Sequence, residues 1–387
     1  MAIKSLDQLA LKGRRVVLRV DYNVPLNPSL QVADDSRIQA SLPTLRYLLQ
    51  QGCSITLMSH LGRPEGKAVA EFSLAPVAAH LGRLLDRTVP LLADPAQAPG
   101  AAPIQMLENL RFFPGETQND RDFARRLAAF GEVYINDAFG AAHRAHASTA
   151  AVAELFREKG AGLLMMKEIH YLREALKTPE RPYLAILGGS KVSDKLKLIR
   201  NLLNKVDCLM IGGAMSYTFL KARGVEIGKS RVEEDFLHEA SALMDLCEQK
   251  NIQLLLPLDH LTAAGFDQEA RAKITLDQDI DPDHLGLDIG PETIHLYTST
   301  IRAAKTVIWN GPMGVFEWEA YSTGTISVAE AMAESTGLTV IGGGDSVSAA
   351  NMAGVADQIT HISTGGGASL ELLGGNELPG LTALESP

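Results

Sequence analysis

The chain is 387 residues long and 46% hydrophobic, with 36 Lys+Arg against 46 Asp+Glu, a formal charge of -10 and a pI near 5.5. Such a length favours two domains, each able to bury its own core. An acidic chain lacks the broad basic face that a nucleic-acid backbone or an anionic membrane surface requires, so neither is expected as a partner. The charge is uneven: residues 1–175 carry a net +2 and the remainder -12, leaving spare cations in the front half for an anionic small molecule. Cys53, Cys208 and Cys247 are odd in number and set in apolar surroundings, which argues for reduced buried thiols over a disulfide framework or a zinc knuckle. The start Met1-Ala2-Ile3-Lys4-Ser5-Leu6-Asp7 lacks an apolar signal core, and no run of eighteen apolar residues occurs, so a cytoplasmic protein is expected.

Short Val/Ile/Leu-rich runs alternate with longer amphipathic stretches, the pattern of βαβ units and a mostly parallel sheet. In the front half, strands are predicted at Val16–Val20, Ile55–Ser59 and Val133–Ile135. Polar residues follow several of the apolar runs. Arg19-Val20-Asp21-Tyr22-Asn23-Val24-Pro25 supplies a carboxylate and an amide suited to binding hydroxyls, although alone it reads equally as a turn. Arg37, His60-Leu61-Gly62-Arg63, Arg111 and Arg144 follow in strand-exit or loop contexts. Four arginines and a histidine so placed form a basic pocket for a small phosphorylated carboxylate, because a guanidinium fork fits both groups. His143 and His146 are expected to pack, since an H-x₂-H pair without further ligands is poor evidence for zinc.

A helix is predicted over Met165–Lys177, stopped by Thr178-Pro179, as the joint and hinge between halves. Beyond it, strands are expected at Tyr183–Leu187, Cys208–Ile211, Gln253–Leu256, Thr306–Trp309, Thr339–Ile341 and Ile359–Ile362. Gly-Gly recurs after these runs, at Gly188-Gly189, Gly212-Gly213, Gly342-Gly343-Gly344 and Gly365-Gly366-Gly367. Ligands of open α/β sheets bind at such strand exits, so the four turns point to one anion-lined crevice. Lys191 and Lys195, four residues apart, are expected to share one helical face beside Gly188-Gly189, an arrangement suited to polyphosphate. Asp345 either caps the following helix or holds Mg²⁺ on a nucleotide. Glu317, in the loop Trp309-Asn310-Gly311-Pro312-Met313-Gly314-Val315-Phe316-Glu317, is either a solvated charge or a ribose-hydroxyl acceptor. Gly224-Val225-Glu226-Ile227-Gly228-Lys229-Ser230 is one residue short of a Walker pattern and reads as a loop. The dinucleotide fingerprint G-x-G-x-x-G is missing after the strands, which counts against a dehydrogenase.

Arg19 to Pro25, His60 to Pro64, Leu107 to Phe112, Asp137 to Ser148, Gly188 to Lys195, Trp309 to Glu317, Gly342 to Ser346 and Ser363 to Leu373 together resemble the phosphoglycerate kinase family, in order and nearly end to end. The resemblance implies two Rossmann-like doubly wound parallel-sheet domains joined by a helical hinge. Residues 1–170 would bind 3-phosphoglycerate, residues 171–373 the nucleotide, and the tail 374–387 would return to the first domain. It also implies a monomer that moves a phosphoryl group between 1,3-bisphosphoglycerate and MgADP, giving 3-phosphoglycerate and MgATP, with Mg²⁺ as cofactor. Carried over by motif, Asp21, Asn23, Arg37, His60, Leu61, Gly62, Arg63, Arg111 and Arg144 would bind the glycerate. Lys195, Gly286, Glu317, Gly343, Gly344, Asp345 and Ser346 would bind the nucleotide, with Asp345 on Mg²⁺. Arg37, Lys191, Lys195 and the helix start at Gly366 and Gly367 would stabilise the transferring group. Gly374-Gly375-Asn376 departs from the Glu-Gly-Lys common in the family.

Overall fold

The computed structural model describes residues 3–385. The chain forms two compact units: one takes the chain up to His170 together with the stretch from Glu377 onward, and the second is Tyr171–Asn376.

The first unit is built on six strands, β1 (Arg15–Arg19), β2 (Ser54–Met58), β3 (Leu91–Leu92), β4 (Ile104–Leu107), β5 (Val133–Asn136) and β6 (Lys159–Ala161), in the order β3-β4-β2-β1-β5-β6 with every pair parallel. Beyond the exposed first residues of β1 and β2, the side chains of β1, β2, β4 and β5 are buried on both faces, as a parallel sheet covered by crossover helices demands. The helix Ser36–Gln50 shows how the cover is made: Ile38, Leu42, Leu45 and Leu48 recur at helical spacing and enter the same core as Val16, Leu18 and Ile55.

The second unit carries β7 (Tyr183–Leu187), β8 (Cys208–Ile211), β9 (Gln253–Leu255), β13 (Thr306–Asn310), β14 (Leu338–Ile341) and β15 (His361–Ile362), again all parallel, in the order β15-β14-β13-β7-β8-β9. Between β9 and β13 the chain makes a three-stranded antiparallel sheet, β10 (His260–Ala263), β11 (Lys273–Ile274) and β12 (Leu285–Ile289), which the apolar pattern did not announce. All three cysteines are free and buried. Among the described residues no helix is long and apolar enough to cross a membrane.

One expectation changes. The predicted helix Met165–Lys177 is an α-helix over Leu163–Ile169 followed by a wide five-residue turn, His170–Glu174, then plain turns ahead of Thr178-Pro179. The α-helical part ends sooner, at Ile169, while the backbone stays helical in a wider form to Glu174. Gly374-Gly375-Asn376 acts as a helix stop: the amides of Gly374 and Gly375 return to the carbonyls of Leu370 and Leu372, and Gly375 takes φ +79. The chain then rejoins the first unit, where the Gly380 amide donates to the Ala142 carbonyl at 2.8 Å and Leu378, Leu381 and Leu384 are buried.

Candidate active site

In the first unit the polar residues meet at the carboxyl ends of the strands. Asp21, just beyond β1, accepts from Arg37 at 2.8 Å, Arg37 lying in the first turn of the helix Ser36–Gln50. Gly62, beyond β2, is held from two sides: its amide donates to Asn23 Oδ1 at 2.8 Å and its carbonyl accepts from Arg111 at 2.6 Å. Its φ of +61 and a Phe72 ring 2.5 Å from where a Cβ would stand leave room only for glycine. Asn109 Nδ2 donates to the carbonyl of Leu61 at 2.7 Å, so the exits of β1, β2 and β4 are tied into one cluster. Arg144 donates to His143 Nε2 at 3.0 Å, and Arg63 is exposed.

The cluster is short of negative charge. Burial, then the neighbouring Arg144 and Arg19, push Arg111 down to about 10. Burial and the charges of Arg111, Arg19 and Arg144 hold His146 at about 4, and burial together with Arg19 and Arg111 keeps His60 well below the ordinary imidazole range. Cations that suppress each other in this way are relieved by an incoming anion. His146 therefore belongs electrostatically to the cluster as well as packing. Arg19, a charge ending the apolar run of β1, is fully buried beneath the pocket; its position was the signal in the sequence, and its role was missed.

In the second unit two adjoining cavities open at the strand exits, of about 470 and about 350 Å³. The larger is mostly apolar, lined by Tyr217, Phe266, Leu287, Met313 and Val315 among others, with Gly286 and Glu317 at its wall. A Cβ on Gly286 would fall 1.8 Å from Tyr217 Oη, so the glycine keeps the slot open. Glu317 is exposed and lines the cavity, which suits either of its two readings. The smaller is lined by Lys191, Lys195, Asn310, Gly343, Gly344, Asp345, Ser346, Gly366 and Gly367. A Cβ on Gly344, Gly366 or Gly367 would meet nothing within 4 Å, so their backbones face open space.

The two lysines do not share a helical face. The helix is Leu196–Leu202, with Lys195 only its cap, because Glu233 accepts from the amides of Val192 and Ser193 and from the Ser193 hydroxyl and holds the preceding stretch as a turn. Lys195 Nζ donates to the Asn310 carbonyl at 2.9 Å and to Asn310 Oδ1, and burial pushes its pKa down to about 8 against the pull of Asp345 and Asp194. Asp345 is not the cap of its helix: Gly343, at φ +95, takes that position, and the Asp345 carboxylate lines both cavities. A single hard carboxylate at a place that phosphate oxygens would complete is a donor set that fits Mg²⁺. Ser346 donates no charge but accepts from the Gly311 amide at 2.6 Å, fixing the loop after β13.

A parallel-sheet scaffold whose strand exits carry an apolar slot beside a lysine, aspartate and glycine cradle is that of a nucleotide-dependent kinase of small molecules. Residues 6–376 match the family described as Phosphoglycerate kinase. Full-length relatives include phosphoglycerate kinases from Anaeromyxobacter sp. (strain K), 50% identical over 100% of both chains, and from Clostridium botulinum, 48% identical over 98% of both. Among solved structures, that of phosphoglycerate kinase from Coxiella burnetii superposes with a TM-score of 0.93 at 40% identity, covering 99% of both chains. The one from Pyrococcus horikoshii OT3 gives 0.82 at 30%, covering 98% of both. The chain belongs to the phosphoglycerate kinase family.

Proposed function

We propose that the protein catalyses the reversible glycolytic transfer of a phosphoryl group between 1,3-bisphosphoglycerate and MgADP, giving 3-phosphoglycerate and MgATP, as a cytoplasmic monomer. The observation that carries this reading is the pairing of an anion-deficient arginine and histidine cluster on one unit with a nucleotide-sized double cavity on the other. Residues 1–170 take the glycerate, through Asp21, Asn23, Arg37, His60, Leu61, Gly62, Arg63, Arg111 and Arg144. Residues 171–373 take the nucleotide, its base and ribose against Gly286 and Glu317 and its phosphates against Lys195, Gly343, Gly344, Asp345 and Ser346. Of the tail 374–387, the part from Glu377 belongs with the glycerate domain.

In the ATP-consuming direction an oxygen of the glycerate carboxylate attacks the γ-phosphorus, the bond to the β-γ bridging oxygen breaks, and ADP leaves with that electron pair. A carboxylate is already ionised at pH 7, so no general base is needed. Negative charge spreads over the equatorial oxygens during transfer, and Arg37, Lys191, Lys195 and the backbone at Gly366 and Gly367 offset it. Asp345 would hold Mg²⁺ together with the nucleotide phosphates, and the ion would supply further neutralisation of charge there. Ligands carried on separate units must be brought together and shielded from water that would hydrolyse the acyl phosphate, so the units close about a hinge near Met165–Lys177.

The test is 3-phosphoglycerate-dependent formation of ADP from MgATP by the purified chain. ATP hydrolysis that ignores the glycerate, or binding of both ligands without turnover, would overturn the assignment.

A further inference from the structure

Arg19, the last residue of β1, is wholly buried, so its guanidinium requires a counter-charge that water cannot supply. That charge is reached through one hydroxyl. Arg19 Nε donates to Ser148 Oγ at 2.8 Å, Ser148 Oγ donates to Glu116 Oε1 at 2.6 Å, and the Ser148 amide donates to Glu116 Oε2 at 3.0 Å. Glu116, in the short helix Pro114–Thr117, is itself fully buried. Another guanidinium nitrogen donates to the Val20 carbonyl, and the third lies 3.1 Å from Nδ1 of His60. A guanidinium carries only donors, so Nδ1 must be the acceptor of that bond and cannot hold a proton. Asp21 Oδ1 approaches the same nitrogen only to 3.9 Å, beyond hydrogen-bonding distance, so Arg19 decides its state.

We propose that Glu116, acting through Ser148 and Arg19, is a positioning residue that fixes His60 as a neutral imidazole with its proton on Nε2, so that the pocket presents an N–H donor and not a base. The surroundings agree. Burial, and then Arg19, Arg111, His146 and Arg37, disfavour a charged His60, and Asp21 is the anion facing it. Without the Glu116 charge, Arg19 is a lone buried cation, its guanidinium loses the Ser148 tether, and Nδ1 becomes free to take the proton. The consequence for recognition is a donor that keeps its orientation between pH 6 and 8, although free imidazole titrates within that window. The link to the substrate rests on the glycerate reading above; the tautomer is a property of the free protein.

Two-bond ¹H–¹⁵N spectra of the full chain labelled in histidine, with His60 assigned by H60Q, read the tautomer directly. An Nε2–H imidazole from pH 6 to 8 is expected; an Nδ1–H form or an imidazolium at pH 7 overturns the proposal. S148A and E116Q should both populate the other tautomer and raise KM for 3-phosphoglycerate about tenfold, the worth of one charge-assisted hydrogen bond, with nucleotide KM unchanged. E116D, which keeps the charge, should retain Nε2–H. S148A deletes only a hydroxyl and so carries the test if E116Q fails to fold; a folded S148A with wild-type tautomer and KM refutes the relay. A wild-type chain that shows Nε2–H yet does not turn over 3-phosphoglycerate defeats the glycerate reading while sustaining the tautomer.

Discussion

The ammonium of Lys195 is solvated by two neutral oxygens of Asn310, and its burial costs enough to bring its pKa down to about 8. At that value the group is protonated about ten to one at pH 7 and only about one to ten at pH 9. If the charged form is what holds the nucleotide phosphates, kcat/KM for MgATP should fall about tenfold from its plateau by pH 9, with a midpoint near 8. The assay is the initial rate of ADP formation at saturating 3-phosphoglycerate from pH 6.5 to 9.5, with ADP separated by chromatography so that no coupling enzyme limits the alkaline range. Bound phosphate favours the protonated lysine, so the alkaline limb in kcat should lie at higher pH than the limb in kcat/KM. K195R keeps its charge throughout, and the limb should vanish in that variant while the plateau drops, because a planar fork cannot reproduce the two contacts of Nζ. A wild-type profile flat to pH 9.5, or a limb that survives in K195R, would refute the role given to this lysine.

Removing Arg37 by R37A should lower kcat by about 10³-fold or more, as loss of an arginine on the transferring group does, with only a modest fall in Tm, since the ion pair lost to Asp21 is made by a guanidinium that is itself partly exposed; a near-normal kcat would refute its role. G286A puts a methyl 1.8 Å from Tyr217 Oη and should raise nucleotide KM about tenfold while KM for 3-phosphoglycerate stays put, both read from the same initial rates. Burial lifts Asp288 from 3.8 to about 7 despite bonds from the amides of Gly324 and Ile289. The unfolded carboxyl ionises first, so this group's contribution to stability is present below pH 3.8 and is lost as pH rises to about 7. D288N, neutral throughout, should flatten that part of the plot of urea midpoint against pH, and an unaltered slope would reject the attribution.

The strands legible in the sequence are those whose apolar runs are long enough to be buried on both faces, such as Tyr183–Leu187 and Thr306–Asn310. β3 is two residues long, and β4 carries Gln105, whose side chain is satisfied by Thr56 at 2.9 Å, a contact that sequence alone does not predict. β11 is exposed and paired only through β10, so it has no apolar pattern to display. The glycine pairs after strands marked the place of the cavities because close backbone approach is a local requirement. Lys191 and Lys195 were placed on one helix because their spacing allows it; Glu233, some forty residues away, decides otherwise. Arg19 and Glu116 are joined by Ser148 across a sequence separation that no local pattern encodes.

The return of the last described residues to the first unit ties its completion to the order of synthesis. Leu378, Leu381 and Leu384 fill positions beside elements made more than two hundred residues earlier, so the lobe translated first stays short of part of its packing until this late segment has left the ribosome. A nascent chain stalled anywhere before Glu377 therefore carries an incomplete leading lobe however long it waits, and a cut between the second unit and Glu377 would strike the packing of the lobe made first.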